Sequence, residues 1–279
     1  MKERTVCKII AVLLLSLFVF SGSGPRGAAS AAQPGGEGSL EYYLAKVKPL
    51  DKTVKLRVGI GAGILHDFPA YAAFKMGGLE NAGVDVEHVY FANGPLMVEA
   101  FGSNAIDVAG YGVGGVLAGS VKGVHQIIQT RMNEAVVQKY FAKNSSDIVK
   151  DGINPDTGFY GKPETWKGKS IYVPPGTTLQ YLLGVAVTKL GMTMDDVNPV
   201  FMDAPNVNTA LYADKGEVWG LWNLFGYAKD IQDDYVELFS GKSLGITFMA
   251  ASVARKSALD DPDLKAAIGK WIECQFAVI

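Results

Sequence analysis

The sequence has few of the side chains that build disulfides, metal centres and hydrolytic sites. It contains two cysteines and three histidines in 279 residues. Cys7 stands before an apolar N-terminal run, which leaves Cys274 as the only cysteine after that run and excludes an intrachain disulfide or a cysteine-based metal site there. The histidines, His66, His88 and His125, lack the spacing of metal ligands. We therefore predict neither a metal nor a catalytic residue.

Charged residues are also scarce, at 19% of the chain. Without residues 1–32 the sequence has 22 basic and 27 acidic side chains, a net charge of −5. Only three arginines then remain, Arg57, Arg131 and Arg255. An acidic protein is a poor partner for nucleic acid or for an anionic membrane. We expect a monomer that binds no nucleic acid.

No apolar run is long enough to cross a bilayer as a helix, since the longest, residues 9–20, has twelve positions. Three basic residues precede this run and small residues follow it to Ala32, which is the layout of a secretory signal peptide. No cysteine follows the run closely, and no twin arginine precedes it. We therefore expect residues 1–32 to be removed and residues 33–53 to form a leader with a short helix. The mature protein is expected in the periplasm without a lipid.

Strands and helices alternate along the rest of the chain. Strands are predicted at 54–58, 84–91, 105–112 and 124–130, with helices at 68–82 and from Gly94. The polar residues 143–164 are predicted to form surface turns. The second half repeats the order as strand 170–173, helix 178–190, strand 198–202, helix 206–213, strand 217–222 and a further helix. This alternation indicates an α/β fold with mainly parallel sheets, whose ligands bind at the carboxyl ends of the strands.

One strand-to-helix turn is unusually rich in small polar residues. The stretch SIYVPPGTTLQYLL, residues 170–183, places two prolines, a glycine and two threonines between an apolar strand and an apolar helix. Thr177 and Gln180 have the spacing of a capping box, which predicts that the helix begins at Thr177. The turn then either only caps its helix or also offers its free N–H groups to an anion. Both interpretations remain open at this point.

Two short motifs come close to catalytic signatures. GYGVGG, residues 110–115, matches a dinucleotide-binding fingerprint, with Glu134 near the position of a ribose-binding acid. About eight residues separate the motif from the next strand, which we interpret as too few for a crossover helix. GKSLG, residues 241–245, matches a nucleophile elbow, but a strand and not a helix is predicted to follow. We expect no cofactor, and an exported dinucleotide-dependent oxidoreductase remains the alternative from the enzyme class.

Four longer segments together resemble the exported substrate-binding proteins of ABC importers for nitrate, sulfonates and taurine, which share a fold with thiamine-precursor proteins. The segments are LRVGIGAGILHDFPAYAAFKMGGLENAGVDVEHVYF, GPLMVEAFGSNAIDVAGYG, WKGKSIYVPPGTTLQYLL and ALYADKGEVWGLWNLF, and the resemblance runs from about residue 54 to 256. Glu217 and Leu224 depart from the family's aspartate and proline, and Asn223 replaces an acid beside Trp222.

The resemblance implies a two-lobed periplasmic-binding-protein fold of type II. Each lobe is then a mainly parallel sheet flanked by helices, with lobe 1 at 54–132 and 238–279 and lobe 2 at 133–237. Two crossing segments, near 129–134 and 237–243, are expected to form a hinge. Relatives usually continue beyond the position of Ile279, so lobe 1 is expected to be truncated.

The resemblance also implies a function without catalysis. A small anion such as a sulfonate, taurine or nitrate is expected to be held between the lobes and delivered to a membrane permease. A ligand-sensing module for a receptor kinase is the other alternative.

The implied ligand site has three kinds of group: threonines at a helix start that hold an oxyanion, aromatic walls, and an arginine that adds charge from the hinge. The expected ligand-binding residues are Gly63, Ile64, His66, Tyr111, Gly112, Gly114, Arg131, Gly176, Thr177, Thr178, Trp222 and Phe225.

Overall fold

In the described residues, ten strands form two five-stranded sheets, and the strands of the second sheet all lie between the fourth and the last strand of the first. The computed structural model describes residues 35–61, 66–222 and 234–279. The strands are β1 Val54–Gly61, β2 Val84–Phe91, β3 Val108–Tyr111, β4 His125–Asn133, β5 Gln138–Lys143, β6 Ser170–Val173, β7 Asn198–Phe201, β8 Val218–Trp222, β9 Tyr235–Ser240 and β10 Met249–Arg255.

Helices flank both sheets. They are α1 Leu40–Leu44, α2 Phe68–Lys75, α3 Gly78–Asn81, α4 Gly94–Gly102, α5 Val113–Lys122, α6 Asp147–Lys150, α7 Pro163–Trp166, α8 Thr178–Lys189, α9 Ala204–Tyr212, α10 Lys256–Asp260 and α11 Pro262–Ala277, with a 3-10 turn at Met194–Asp196. Within the described ranges, no helix is long and apolar enough to span a membrane. The signal peptide predicted at 1–32 lies outside the described residues.

The two sheets have the same strand arrangement. The first has the order β2-β1-β3-β10-β4 and the second β7-β6-β8-β5-β9. In the first, β1 is parallel to β2 and β3, whereas β10 is antiparallel to both of its neighbours. In the second, β5 is the antiparallel strand. Four of the five strands in each sheet therefore run in one direction, which confirms the predicted mainly parallel α/β class.

The chain crosses between the lobes twice, and the two crossings lie side by side. The first is Glu134–Val137, between β4 and β5, and the second is residues 241–248, between β9 and β10. Backbone hydrogen bonds join them, from Glu134 N to Phe248 O at 2.7 Å and from Lys242 N to Ala135 O at 3.1 Å. Both crossings come later than predicted, because 129–133 pair with β10 and 237–240 pair with β5. The lobe boundaries stay a proposal, and these pairings place them at 134–137 and 241–248.

Two local predictions were wrong. The predicted helix 68–82 is two helices, because Gly77 has φ +73°, a left-handed conformation that ends α2. Residues 143–164, predicted as surface turns, carry buried side chains, among them Ile148 and Phe159, each about 1% exposed. These pack with Trp166 into the core of lobe 2.

Helix α8 is the main core helix of lobe 2, and it has the predicted spacing of apolar residues. Its buried side chains are Leu179, Leu182, Leu183, Ala186 and Val187. Burial of one such leucine stabilises the fold by about 1.5–3 kcal/mol. The apolar face of α8 packs against the sheet of lobe 2. This packing holds the first turn of α8 at the edge of that sheet.

Candidate functional site

A cavity lies between the two sheets, at the carboxyl ends of their strands. Gly61, Tyr111 and Trp222 are the last residues of β1, β3 and β8, and all three line it. The cavity encloses about 60 Å³, which is room for about four to six water molecules. Both lobes and the first crossing contribute to its walls, so it lies where an open α/β sheet binds its ligands.

A buried carboxylate forms one wall of this cavity. Glu134 begins the first crossing and is 0% exposed. Its Oε2 lies 2.8 Å from His66 Nε2 and accepts a hydrogen bond from Gln138 Nε2 at 3.0 Å. Its Oε1 accepts one from Thr178 Oγ1 at 3.4 Å. One acid thus connects lobe 1, the crossing and lobe 2.

Two helix starts meet beside this carboxylate. The N-caps of α5 and α8, Gly112 and Thr177, make no side-chain capping bond. A Cβ on Gly114 would lie 3.1 Å from Thr178 N, so the two helix starts are in contact across the lobes. The N-terminus of a helix carries partial positive charge. This charge stabilises the buried carboxylate of Glu134.

The predicted capping box at the start of α8 is absent. The helix does begin after Thr177, as predicted, but the Thr177 hydroxyl donates to Pro174 O at 2.7 Å. Gln180 Oε1 accepts from Gly176 N at 2.6 Å, one residue before the expected N–H group. The hydroxyl faces back into the turn, so it leaves the first N–H groups of α8 without a side-chain cap.

Tyr111 lines the cavity with its ring, as predicted, but its hydroxyl points into the core of lobe 1. The hydroxyl lies 2.6 Å from His125 Nδ1, and His125 Nε2 lies 3.2 Å from Val116 O. Because a carbonyl only accepts, Nε2 carries the proton and Nδ1 accepts from the tyrosine. Burial lowers the pKa of His125. The hydroxyl is thus fully used within the fold.

Arg131 does not line the cavity in the described part of the chain. Its side chain is 5% exposed inside lobe 1, where Nη2 lies 3.8 Å from Asp67 Oδ1. Its Nε donates to Ser252 Oγ at 2.5 Å, and its guanidinium lies 5.2 Å from the ring centre of Trp271. The expectation that Arg131 adds charge to the ligand site is therefore not met. The side chain instead contacts Asp67, Ser252 and Trp271 inside lobe 1.

The structure brings together half of the residues predicted for the site. Those that line the cavity are His66, Tyr111, Gly112, Thr177, Thr178 and Trp222. Gly114 and Gly176 lie just behind them, in the contacts between helix starts. Gly63, Ile64 and Phe225 lie outside the described residues. Sequence reasoning missed Glu134 as a lining residue, although it is the only acid between Arg131 and the strand β5.

The glycines of GYGVGG have packing roles. A ten-residue helix, α5, begins inside the motif at Val113, so the inference that a crossover helix could not fit was wrong. A Cβ on Gly114 would lie 3.1 Å from Gly176 O, and one on Gly115 would lie 2.7 Å from the Tyr111 ring. Gly114 and Gly115 are thus in close contact with other atoms of the protein. Within the described ranges, no group of three His, Cys, Asp or Glu side chains could hold a metal.

We predict that Gly112→Ala lowers the free energy of unfolding by about 1–3 kcal/mol. Gly112 has φ −72°, which any residue adopts, but an added Cβ would lie 2.1 Å from Glu134 Oε1. The carboxylate would have to move away from its partners. Urea denaturation measures the change.

The matched control is Gly184→Ala, in the interior of α8, where nothing lies within 4 Å of an added Cβ. This change should stabilise the protein by about 0.5–1 kcal/mol. An unchanged denaturation midpoint for Gly112→Ala would show that Glu134 is not held against this glycine.

Comparison with known sequences gives a consistent family. A family model described as NMT1/THI5 like matches residues 67–264. A Brucella abortus protein that carries a binding-protein name is 29% identical over 223 residues, which cover 78% of this chain and 64% of that protein. The chain thus spans less than two thirds of that relative. A Brachyspira hyodysenteriae protein named as an ABC transporter periplasmic binding protein is 28% identical over 137 residues, or 49% of this chain and 40% of that one.

Solved structures share the fold. The alkanesulfonate-binding protein of Xanthomonas axonopodis pv. citri, bound to MOPS, aligns with TM-score 0.64 and 18% identity over 81% of this chain and 74% of its own. The periplasmic nitrate-binding protein of Synechocystis aligns with TM-score 0.58 and 16% identity over 80% of this chain and 62% of its own. These likenesses confirm the two-lobed periplasmic-binding-protein fold. The family model runs from the start of α2 into α11, which is more than half of the chain. The chain therefore belongs to the NMT1/THI5 like family.

Proposed function

We propose that this protein is an exported solute-binding receptor of an ABC importer, which captures a small molecule between its lobes and delivers it to a membrane permease. The observation that carries the proposal is the cavity between the sheets, lined from both lobes and from the crossing. The family and the names of the relatives support it. The periplasmic location, the absence of a lipid and the monomeric state remain parts of this proposal.

The crossings supply the movement that capture requires. The cavity of about 60 Å³ lies between the two lobes, and separation of the lobes would widen the entrance for a solute. Two adjacent segments, 134–137 and 241–248, connect the lobes and can absorb such a rotation. Glu134 lies in the first of them and contacts Thr178 of lobe 2, so the site and the hinge share a residue.

The anionic ligand expected from the sequence stays a prediction. The uncapped starts of α5 and α8 favour it, as do the sulfonate and nitrate ligands named for the structural relatives. The carboxylate of Glu134 opposes it, because it lies against the same helix starts. A sensing module for a receptor kinase would use the same cavity with a different partner, and neighbouring genes separate these two roles.

We propose no catalytic activity. The oxidoreductase alternative lacks support from the relatives, which are named as binding proteins.

A true ligand should stabilise the folded protein. At a hundredfold excess over its Kd the gain is about 2.7 kcal/mol, which raises the Tm of a chain of this size by roughly 5–10 °C. Thermal unfolding with nitrate, small sulfonates, carboxylates, amines and pyrimidines tests this, with NAD as the comparison compound. A shift with NAD and with no other compound would overturn the receptor function in favour of the oxidoreductase.

A further inference from the structure

The carboxylate of Glu134 has one acceptor oxygen that the protein leaves nearly unused. Oε2 is contacted by His66 Nε2 at 2.8 Å and by Gln138 Nε2 at 3.0 Å. Oε1 accepts only from Thr178 Oγ1, at 3.4 Å, which is longer than a strong O–H···O bond. A carboxylate oxygen can accept two hydrogen bonds. Oε1 therefore keeps an acceptor position that no donor among the described residues fills, although the side chain is 0% exposed in this structure.

A second buried acceptor lies in the same cluster. Gln138 is 0% exposed, and its amide oxygen has no hydrogen-bond partner among the residues that the structure describes. Its amide nitrogen is already directed at Glu134. Buried polar atoms are rarely left unpaired. Gln138 thus adds a second acceptor without a donor, among the described residues, to the surroundings of this carboxylate.

The charge of the cavity points in the same direction. The described lining of the cavity has three titratable side chains, which are Glu134, His66 and Tyr111. It contains no lysine or arginine. The imidazole of His66 already contacts Glu134, with 2.8 Å between Nε2 and Oε2. Arg131 is held by Asp67 and Ser252. Among the described lining residues, no lysine or arginine is therefore free for an anionic ligand.

The starts of α5 and α8 already have an anion beside them. A Cβ on Gly112 would lie 2.1 Å from Glu134 Oε1 and 2.9 Å from Thr178 Oγ1, which places the carboxylate against both helix starts. The partial positive charge of these helices is thus used to hold an acid of the protein itself. A ligand anion would have to share that charge with a like charge at close range.

We propose that the ligand of this cavity carries a nitrogen cation, such as a protonated amine or an amidine, whose N–H group donates to Glu134 Oε1. The inference rests on the proposed receptor function, because it names the chemical class of the solute held in that cleft. A zwitterion meets the requirement through its cationic end, and an anion without a nitrogen donor does not.

Matched pairs of probes test the inference by isothermal titration calorimetry on the full chain. Benzamidine is compared with benzoate, and taurine with ethanesulfonate, so that each pair differs in the cationic nitrogen. We expect the nitrogen-bearing member of a pair to bind at least tenfold more tightly. Mass spectrometry of any solute retained on the purified protein, in both ion modes, provides a measurement that needs no variant.

Glu134→Gln is the variant that separates the two signs of charge. The glutamine oxygen must still face His66 and Gln138, so its amide nitrogen turns a donor towards the cavity. Affinity for the nitrogen-bearing probe should fall roughly 10- to 150-fold, as expected for a lost charged hydrogen bond. Affinity for benzoate or ethanesulfonate should rise. Glu99→Gln, at an exposed position of α4, removes the same charge and should change neither affinity.

The outcomes separate this inference from the proposed function. Equal or tighter binding of ethanesulfonate or benzoate by the wild type, or a retained solute without a cationic nitrogen, would overturn the inference and leave the receptor function standing. Binding of no probe together with no retained solute would overturn the receptor function itself. If Glu134→Gln fails to fold, the wild-type pairs and the retained solute still decide.

Discussion

Replacement of Arg131 by methionine is expected to lower the free energy of unfolding by about 3–5 kcal/mol, the usual loss when one partner of a buried ion pair is removed. Arg131 and Asp67 are almost fully buried, at 5% and 2% side-chain exposure, and their facing atoms, Nη2 and Oδ1, lie 3.8 Å apart with no hydrogen-bond partner among the described residues. Without the guanidinium, Asp67 would be left as an uncompensated acid inside lobe 1. Urea denaturation at pH 7 measures the loss.

The double variant Asp67→Asn with Arg131→Met is the control. It removes both charges, so much of the lost stability should return. The contrary result is a double variant whose free energy of unfolding is lower than that of Arg131→Met by the full loss seen for Asp67→Asn alone. That result would show that the two residues are not coupled.

Asp67 also gives this pair a pH dependence. Burial raises its pKa to about 6, against the attraction of Arg131 and His66 and of the Gly61 and Gly110 N–H groups. The unfolded value is about 3.9, so between these pH values the folded state holds the proton more often. The stability that this protonation provides is therefore lost as pH rises from about 4 to 6. Arg131→Met should extend the loss to higher pH.

Trp166→Ala is expected to cost about 3–5 kcal/mol, as for other fully buried large aromatic residues. The indole is 0% exposed, and its Nε1 donates to Tyr160 O at 3.0 Å. The ring lies edge-on to Phe159 and contacts Phe239, at centroid distances of 6.4 and 5.9 Å. The cavity left by alanine is not expected to close fully, because Phe239 is held in strand β9. Urea denaturation at pH 7 measures the loss of unfolding free energy.

Trp166→Phe is the matched control. It keeps most of the ring contacts but leaves Tyr160 O without its donor, so it should cost clearly less than the alanine change. Equal losses for the two variants would assign the stabilisation to the hydrogen bond rather than to packing.

Regular elements of this fold could be predicted where apolar residues recur at the spacing of a helix or a strand. The leucines of α8 recur at helical spacing, and Val54, Leu56 and Val58 alternate along β1, so both appeared in the sequence with nearly the observed bounds. Strand β5 has no such alternation, and its burial pattern depends on β8 and β9, which come about 80 and 100 residues later. The buried Phe159 is isolated in a polar segment, so no local pattern indicated it.

The candidate site could be predicted only in part for a related reason. Thr177 and Thr178 follow directly from a turn that any α/β sheet places at its ligand-binding edge. Glu134 reaches the same place through a crossing between lobes, and its neighbours Gly112 and Thr178 are 22 and 44 residues away. Such a contact is set by topology and not by spacing, so the sequence indicated this acid only as a ribose-binding residue of the enzyme alternative and not as part of the ligand site.

The route of the chain through the two sheets also fixes an order of assembly. All strands of the second sheet lie between residues 138 and 240, inside an interval that interrupts the first sheet. The first sheet stays open until β10 arrives, because β10 is the only strand, among those described, that joins β3 to β4. A chain made from its N-terminus therefore has every strand of the second lobe before the first lobe can close. The first lobe closes by pairing Gly110 with Ser252, which closes a long loop at a cost in chain entropy.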